Sequence, residues 1–143
     1  MKQFLRTTLC LFVLTACHDD YDGTIKPVLK DKTIEYAFYA GTDYLAPSQQ
    51  NLKISIYLAT GTVPPGGQYL TTWDTLISDV PAKDLMILDE YKKSVTIKDV
   101  DINSDQVWYA RNIQYDLNGY QTFNGKTSYM SKQIDLHKEK VYF

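Results

Sequence analysis

Few side chains in this chain of 143 residues could do covalent, acid–base or metal chemistry. It has two cysteines, Cys10 and Cys17, and two histidines, His18 and His137. The sequence contains neither Gly-x-Ser-x-Gly nor His-Glu-x-x-His, so the motifs of a hydrolase elbow and of a zinc protease are missing. A hydrolase with His137 as base, or a glycosidase with two carboxylates from different strands, is the enzymatic alternative. We predict instead a chain that is not an enzyme and needs no cofactor.

One loop alternates oxygen ligands of the kind that calcium prefers: Asp99, Asp101, Asn103 and Asp105. An EF-hand loop needs glycine at its sixth position and a carboxylate at its twelfth, where this chain has Ser104 and Ala110. Asp and Asn also make turns by bonding to nearby backbone. We therefore predict a polar turn between strands, with calcium as the weaker alternative and no other metal.

Aromatic residues are the remaining candidates for a binding surface. An exposed Trp73 or Trp108 beside a tyrosine could stack a sugar ring, although tryptophan is more often part of the core. Tyr120 and Phe123 lie between two Asn-Gly turn signals, which predicts exposure near a hairpin tip. Exposed loop aromatics favour contact with a protein partner or a glycan.

The first 17 residues have the pattern of a targeting signal. Two basic residues precede an apolar run at residues 9–14, which is far shorter than the roughly 20 residues of a spanning helix and has the length of a signal-peptide core. The next stretch, Leu14-Thr15-Ala16-Cys17, resembles a lipobox, the signal at which bacteria attach lipid to a cysteine and cleave before it. The resemblance implies that residues 1–16 are removed and that Cys17 is lipidated, which would make the lipid the only membrane anchor.

Cleavage would leave 127 residues with 13 basic and 17 acidic side chains, a net charge of −4. This is the size of one ordinary domain. A mildly acidic chain is a poor partner for nucleic acid, which favours basic surfaces. With Cys17 lipidated, the folded part would have no thiol for a disulfide or a metal.

Residues 17–31 are predicted to form a flexible, lipidated tether, because they are acidic and contain few apolar side chains. This stretch resembles the acidic signal that directs Bacteroidetes-type lipoproteins to the outer face of the outer membrane. The resemblance implies an envelope protein anchored in the outer membrane and displayed at the cell surface. A plain spacer that faces the periplasm is the alternative.

Residues 32–143 are predicted to form a single all-β domain. The clearest strand has Leu52, Ile54, Ile56 and Leu58 on one face and polar residues between them, as in a sheet with one wet face. The other predicted strands cover residues 34–40, 69–78, 84–91, 94–100, 106–115 and 126–136, of which 84–91 is ambiguous and 137–143 is a tail or a strand extension. Short strands separated by turn signals indicate one antiparallel β-sandwich of about seven strands.

Part of this domain resembles the F strand of fibronectin type III domains in bacterial lipoproteins. The similarity is carried by residues 108–111, an aromatic pair followed by Ala and Arg, and by residues 115–120, which end in Asn-Gly-Tyr. It implies an immunoglobulin-like or fibronectin III-like sandwich with Trp108 or Tyr109 at the tyrosine corner. Asn112 and Gln114 depart from it, since apolar inward residues would be expected there.

Together these patterns predict a membrane-anchored envelope lipoprotein with a non-catalytic binding or assembly domain. Its loops would contact a partner, which is an unknown envelope protein or a glycan. The alternative function is an accessory glycan-binding lipoprotein of an outer-membrane uptake system.

Overall fold

A computed structural model describes residues 23, 25–42, 44–85 and 92–143 of the chain. Its strands are β1 (Leu29–Tyr39), β2 (Leu52–Val63), β3 (Leu70–Pro81), β4 (Lys92–Asp101), β5 (Gln106–Leu117), β6 (Tyr120–Tyr129) and β7 (Leu136–Tyr142). They form a three-stranded sheet in the order β4-β1-β7 and a four-stranded sheet in the order β3-β2-β5-β6. The predicted all-β sandwich of about seven strands is thus confirmed.

The core lies between the two sheets and follows the period-two alternation of the strands. On β1, Ile34, Tyr36 and Phe38 are buried, and on β2 the predicted apolar stripe is buried as well. The Tyr36 hydroxyl donates to the Ala59 carbonyl at 2.9 Å, so a core side chain links the two sheets. Burial of these side chains supplies most of the folding free energy, as in other small domains.

Strand β5 has the facing that its sequence left open. Val107, Tyr109 and Ile113 are buried, whereas Asn112 is exposed and Gln114 is partly exposed. The two amide residues that depart from the fibronectin pattern therefore belong to the outer face.

Strand β3 is longer than predicted and irregular. Its register against β2 shifts between Ile54 and Ile56 and again between Thr60 and Gly61, with the extra residue on β3 each time. Each shift is a β-bulge, which bends the strand and increases its local twist. The pattern of segment 84–91 does not distinguish a strand from a single helical turn and favours a strand or sheet-edge segment, but Ala82–Leu85 forms one helical turn that buries Leu85. Residues 86–91 lie outside the described part of the chain.

The predicted last strand, residues 126–136, is wrong. Asn118 and Gly119 both have positive φ, 54° and 87°, which suits a two-residue hairpin turn. The turn starts β6 at Tyr120, and Asn124-Gly125 lies inside this strand. Residues 137–143, predicted to be a tail or a strand extension, mostly belong to a separate seventh strand, β7. It pairs parallel to β1, whereas the other described strand pairs are antiparallel.

A buried lysine holds the segment between β6 and β7. The Lys32 side chain is only 2% exposed. Its ammonium donates to the carbonyls of Lys132 and Ile134 at 2.8 and 2.7 Å and to Asp135 Oδ1 at 2.8 Å. A buried charge requires such partners, and these bonds define the path by which the chain reaches the parallel strand.

The two ends of the sandwich carry different parts of the chain. The first strand begins at Leu29, inside the predicted tether, and Val28 is bonded to the β4–β5 turn through Asp101 Oδ1 and Ile102 N. The chain therefore enters at the end that holds this turn. Residues 50–51, the end of β3 and the β5–β6 turn lie at the opposite end, because β2, β3 and β5 run the full length of their sheet.

Candidate functional site

Both tryptophans are packed against other rings. Trp73 lies on the inner face of β3 and stacks on Tyr36 with ring centroids 6.2 Å apart. Trp108 faces outward from β5 but is only 7% exposed, because Tyr69 packs edge-on against it at 5.7 Å and 70°. Its Nε1 donates to the Leu70 carbonyl at 3.3 Å. No coplanar stacking platform is formed by these rings.

Tyr120 and Phe123 are exposed, at 75% and 64%, but they do not share a surface. Tyr120 pairs with Leu117 and closes the β5–β6 turn, whereas Phe123 pairs with Gln114 further along the strand. The hairpin-tip position is therefore right for Tyr120 and wrong for Phe123. Since side chains alternate along a strand, residues three positions apart point to opposite faces.

Three of the four calcium candidates, Asp101, Asn103 and Asp105, build the β4–β5 turn, whereas Asp99 lies within β4. Asp101 Oδ1 accepts from the backbone N–H of Asn103 and of Val28, and Oδ2 accepts from the Ser104 hydroxyl. These bonds hold the pKa of Asp101 below its usual value, the Asn103 bond contributing most. Asp105 Oδ1 bonds the same hydroxyl, and Asp99 N donates to Asp31. Among the described residues no group of three or more His, Cys, Asp or Glu is arranged to hold a metal.

The predicted lipidation site, Cys17, lies outside the described residues. Within residues 23–143, apart from the undescribed positions, no helix has the length and hydrophobicity needed to span a bilayer.

A polar cleft opens at the end of the sandwich opposite the chain entry. It has a volume of about 440 Å³, and six of its nine lining residues carry amide, carboxylate or ammonium groups. We call it the loop-end cleft; its lining comprises Gln50, Asn51, Leu52, Lys53, Asp79, Pro81, Asp116, Asn118 and Gly119. A cleft of this size accommodates a small ligand or one side chain of a partner.

Local bonds fix the walls of the loop-end cleft. Asp116 Oδ1 accepts from Gly119 N at 2.8 Å, and Asn51 Nδ2 donates to Asn118 Oδ1 at 3.2 Å. Across the cleft, Asp79 has a φ of 55°, and Ser55 Oγ accepts from its N–H at 3.0 Å. Asn118 and Asp79 both have left-handed backbone conformations, and each is held by a hydrogen bond to a side chain of β2 or of the residue before it. These bonds give the cleft a defined shape.

The two carboxylates of the cleft lie on either side of Lys53, which is paired with Asp116 on one side and with Pro81, two residues beyond Asp79, on the other. The pKa of Asp116 is lowered, first by the bond from Gln121 and then by that from Gly119. The general acid of a glycosidase needs a raised pKa, so Asp116 does not have the character of that acid.

The structure also brings together a charged cluster that the sequence analysis missed. Glu139 on β7 faces inward and is 8% exposed. Its carboxylate lies 3.7 Å from Arg111 Nε, 3.6 Å from Lys126 Nζ and 3.3 Å from His137 Nε2. The His137 ring packs on Tyr109 at 4.5 Å. These charges fill the open side between β6 and β7.

His137, the candidate base of the alternative hydrolase, is thus a half-buried partner of Glu139. The alternation of His137, Glu139, Val141 and Phe143 was the signal that could have shown an inward face. Burial, followed by the charge of Glu139, raises the pKa of Tyr109. We interpret the cluster as structural, since each cation near Glu139 neutralises its buried charge.

Comparison of the chain with protein-family models, with curated proteins and with solved structures gives no match.

Proposed function

We propose that the chain is a lipid-anchored lipoprotein of the cell envelope whose sandwich is a non-catalytic binding domain. Its partner would be contacted by the loop-end cleft and the exposed ring of Tyr120 beside it. The observation that carries the proposal is the position of the cleft, at the end opposite the one where the chain enters from the tether.

The geometry suits contact away from a membrane. Strand β2 has 12 residues, and at about 3.3 Å per residue it separates the two ends by roughly 35 Å. A flexible tether of about ten residues between Cys17 and Val28 would add roughly 17 Å on average. A domain lipidated at Cys17 would therefore present the cleft well beyond the lipid surface.

The chemistry of the cleft supports binding. Asp116 is already engaged by Gly119 and Gln121, so it shapes the turn and remains charged. Lys53 and Asp79 are exposed on the neighbouring strands β2 and β3 at the cleft, where their opposite charges can pair with a polar or zwitterionic group. Fixed polar groups that need no proton transfer are typical of recognition sites.

We further propose that the domain has immunoglobulin-like topology. The order β3-β2-β5-β6 matches the C′-C-F-G order of such sandwiches, and β1 beside β4 matches strands B and E. In this correspondence β5 takes the F position, as the resemblance at residues 108–120 implies. The parallel β7 occupies the place beside B that strand A would otherwise take.

Glycan binding by an uptake accessory is the second candidate, because the cleft offers what a sugar hydroxyl needs. Its amides and carboxylates can donate and accept. Tyr120 follows the lining residue Gly119 in the chain and is exposed at the same end of the sandwich, where an aromatic ring would add apolar contact to a sugar.

Photo-crosslinking in intact cells tests the proposal. The full chain is expressed with p-benzoylphenylalanine in place of Tyr120, and adducts are identified by mass spectrometry. The matched control carries the same group in place of Tyr142, an exposed tyrosine on β7 of the other sheet. We expect a discrete protein adduct from position 120 that is absent from position 142.

Charge removal then links the adduct to the cleft. Lys53→Gln combined with Asp79→Asn should reduce the adduct at least tenfold, whereas Leu76→Ser, an exposed site on β3 away from the cleft, should leave it unchanged. No protein adduct, together with cleft-dependent binding on a glycan array, would favour the glycan function. If the folded chain gives neither a protein adduct nor cleft-dependent glycan binding, binding through this cleft is refuted.

A further inference from the structure

One edge of the four-stranded sheet lacks the features that usually protect a sheet edge. Strand β6 has ten residues, no proline and a single charged residue, Lys126. Its register against β5 is continuous over all ten pairs. Natural edge strands are blunted by charges, prolines, bulges or short length, because their unpaired backbone groups otherwise pair with another chain.

The other three edges are protected. Strand β3 has two bulges and ends at Pro81. Strand β4 contains three lysines and a shifted register, and β7 presents Lys138 and Lys140 to solvent. The contrast singles out β6 within the described part of the chain.

Hydrogen-bond parity shows which groups point to the open side. Met130 N donates to the Val107 carbonyl at 2.9 Å, and the turn that joins Leu117 to Tyr120 closes the ladder at its other end. Bonded and non-bonded pairs alternate in an antiparallel ladder, so even-numbered residues of β6 bond to β5. The backbone groups of the odd-numbered residues face the open edge: Gln121, Phe123, Gly125, Thr127 and Tyr129.

Gly125 is at the centre of these five positions and is not required by the fold. A Cβ built on it would lie 3.7 Å from Asn112 Oδ1, an ordinary contact, and its φ is not positive. Glycine inside a strand lowers stability, and it often marks a place where another backbone approaches closely.

We propose that β6 pairs antiparallel with β6 of a second copy of this chain, with the two-fold axis at Gly125. In this register Phe123 lies opposite Thr127 of the second copy, and Gln121 lies opposite Tyr129. It is the one antiparallel self-pairing that uses all five open-edge residues. Lys126 faces Asn124 of the second copy, so no like charges are opposed.

The pairing joins two four-stranded sheets into one sheet of eight strands and is isologous, as in most homodimers. Because the two copies run antiparallel, their loop-end clefts lie at opposite ends of the assembly. The inference stands on the edge of β6 and does not depend on what the cleft binds.

Cysteine crosslinking of the full chain in cell membranes tests the register. Gly125→Cys places two thiols opposite each other with Cα atoms about 5.5 Å apart, within disulfide range. We expect a disulfide-linked dimer from Gly125→Cys and from the combined Phe123→Cys and Thr127→Cys variant. Phe123→Cys alone should give at least tenfold less, because each thiol then faces a threonine.

Two controls distinguish specific pairing of the β6 strands from random collision of thiols in the membrane. Leu76→Cys is equally accessible on the opposite edge strand and should not form a dimer. Thr127→Pro added to Gly125→Cys removes an open-edge N–H without touching the ladder to β5, and it should reduce the dimer at least tenfold with little change in melting temperature. The proposal is overturned if Phe123→Cys alone gives as much dimer as the combined variant. It is also overturned if the Gly125→Cys dimer persists when Thr127→Pro is added, or if the cysteines crosslink only to a different protein.

Discussion

Replacing the buried Lys32 by methionine should destabilise the domain while preserving its apolar packing. Methionine retains the length of the side chain but removes the ammonium that binds the carbonyls of Lys132 and Ile134. A hydrogen bond to a charged group contributes about 1.5–3 kcal/mol, so the two carbonyl bonds together contribute about 3–6 kcal/mol. In the variant, water bonds the exposed carbonyls and restores part of this free energy, so the expected loss in the free energy of unfolding is about 2–4 kcal/mol.

Urea unfolding at pH 7 measures the effect. We expect a lower midpoint with an unchanged slope, because the surface exposed on unfolding stays the same. The matched control is Lys30→Met on the same strand, whose ammonium is half exposed and lies 3.8 Å from Asp135. Exposed ion pairs contribute about 0–1 kcal/mol. Equal losses for the two variants, or a loss below about 0.5 kcal/mol for Lys32→Met, would refute the reasoning.

Three further predictions concern stability. Gly61→Ala should lower the free energy of unfolding by about 2 kcal/mol or more, since its Cβ would lie 1.8 Å from a backbone carbonyl. Gly125→Ala is the control, because there is room for a Cβ at this position, and it should be neutral or stabilising. Calorimetry compares the two variants. Burial raises the pKa of Tyr44 to about 12 from 10.0. The neutral phenol therefore stabilises the fold fully below pH 10, and this stabilisation is lost between pH 10 and 12. In that range the unfolding midpoint should fall less steeply with pH for Tyr44→Phe than for the wild type. Glu139→Gln should cost about 1–3 kcal/mol by leaving inward cations unpaired, and a double-mutant cycle with Arg111→Gln should show coupling; additive effects would count against the cluster.

Much of the fold follows from local pattern. The alternation of Ile54, Ile56 and Leu58 predicts a strand with one buried face because burial and the pleat have the same period. The turn at Asn118-Gly119 is likewise a local property, since both residues tolerate positive φ. Asn124-Gly125 has the same signal yet lies within a strand, because the hairpin can close only once and the first turn sets the register.

The parallel strand and the site could not be read from the sequence. Strand β7 depends on Lys32, about one hundred positions earlier, which bonds the backbone that leads into it. The loop-end cleft combines residues 50–53, 79–81 and 116–119, and only the sheet order brings these together. The alternation along residues 137–143 indicates a strand with one inward face, but it does not say which strand β7 pairs with, because that pairing is non-local.

The lipid anchor at Cys17 is the claim on which the proposed function depends most. Intact cells that express the full chain or Cys17→Ser are treated with protease and then fractionated. We predict that the wild-type domain sediments with membranes and is cut from intact cells, and that Cys17→Ser is released from the membrane. Protection until the outer membrane is opened would place the cleft in the periplasm. A Cys17→Ser chain that stays fully membrane-bound would contradict the account.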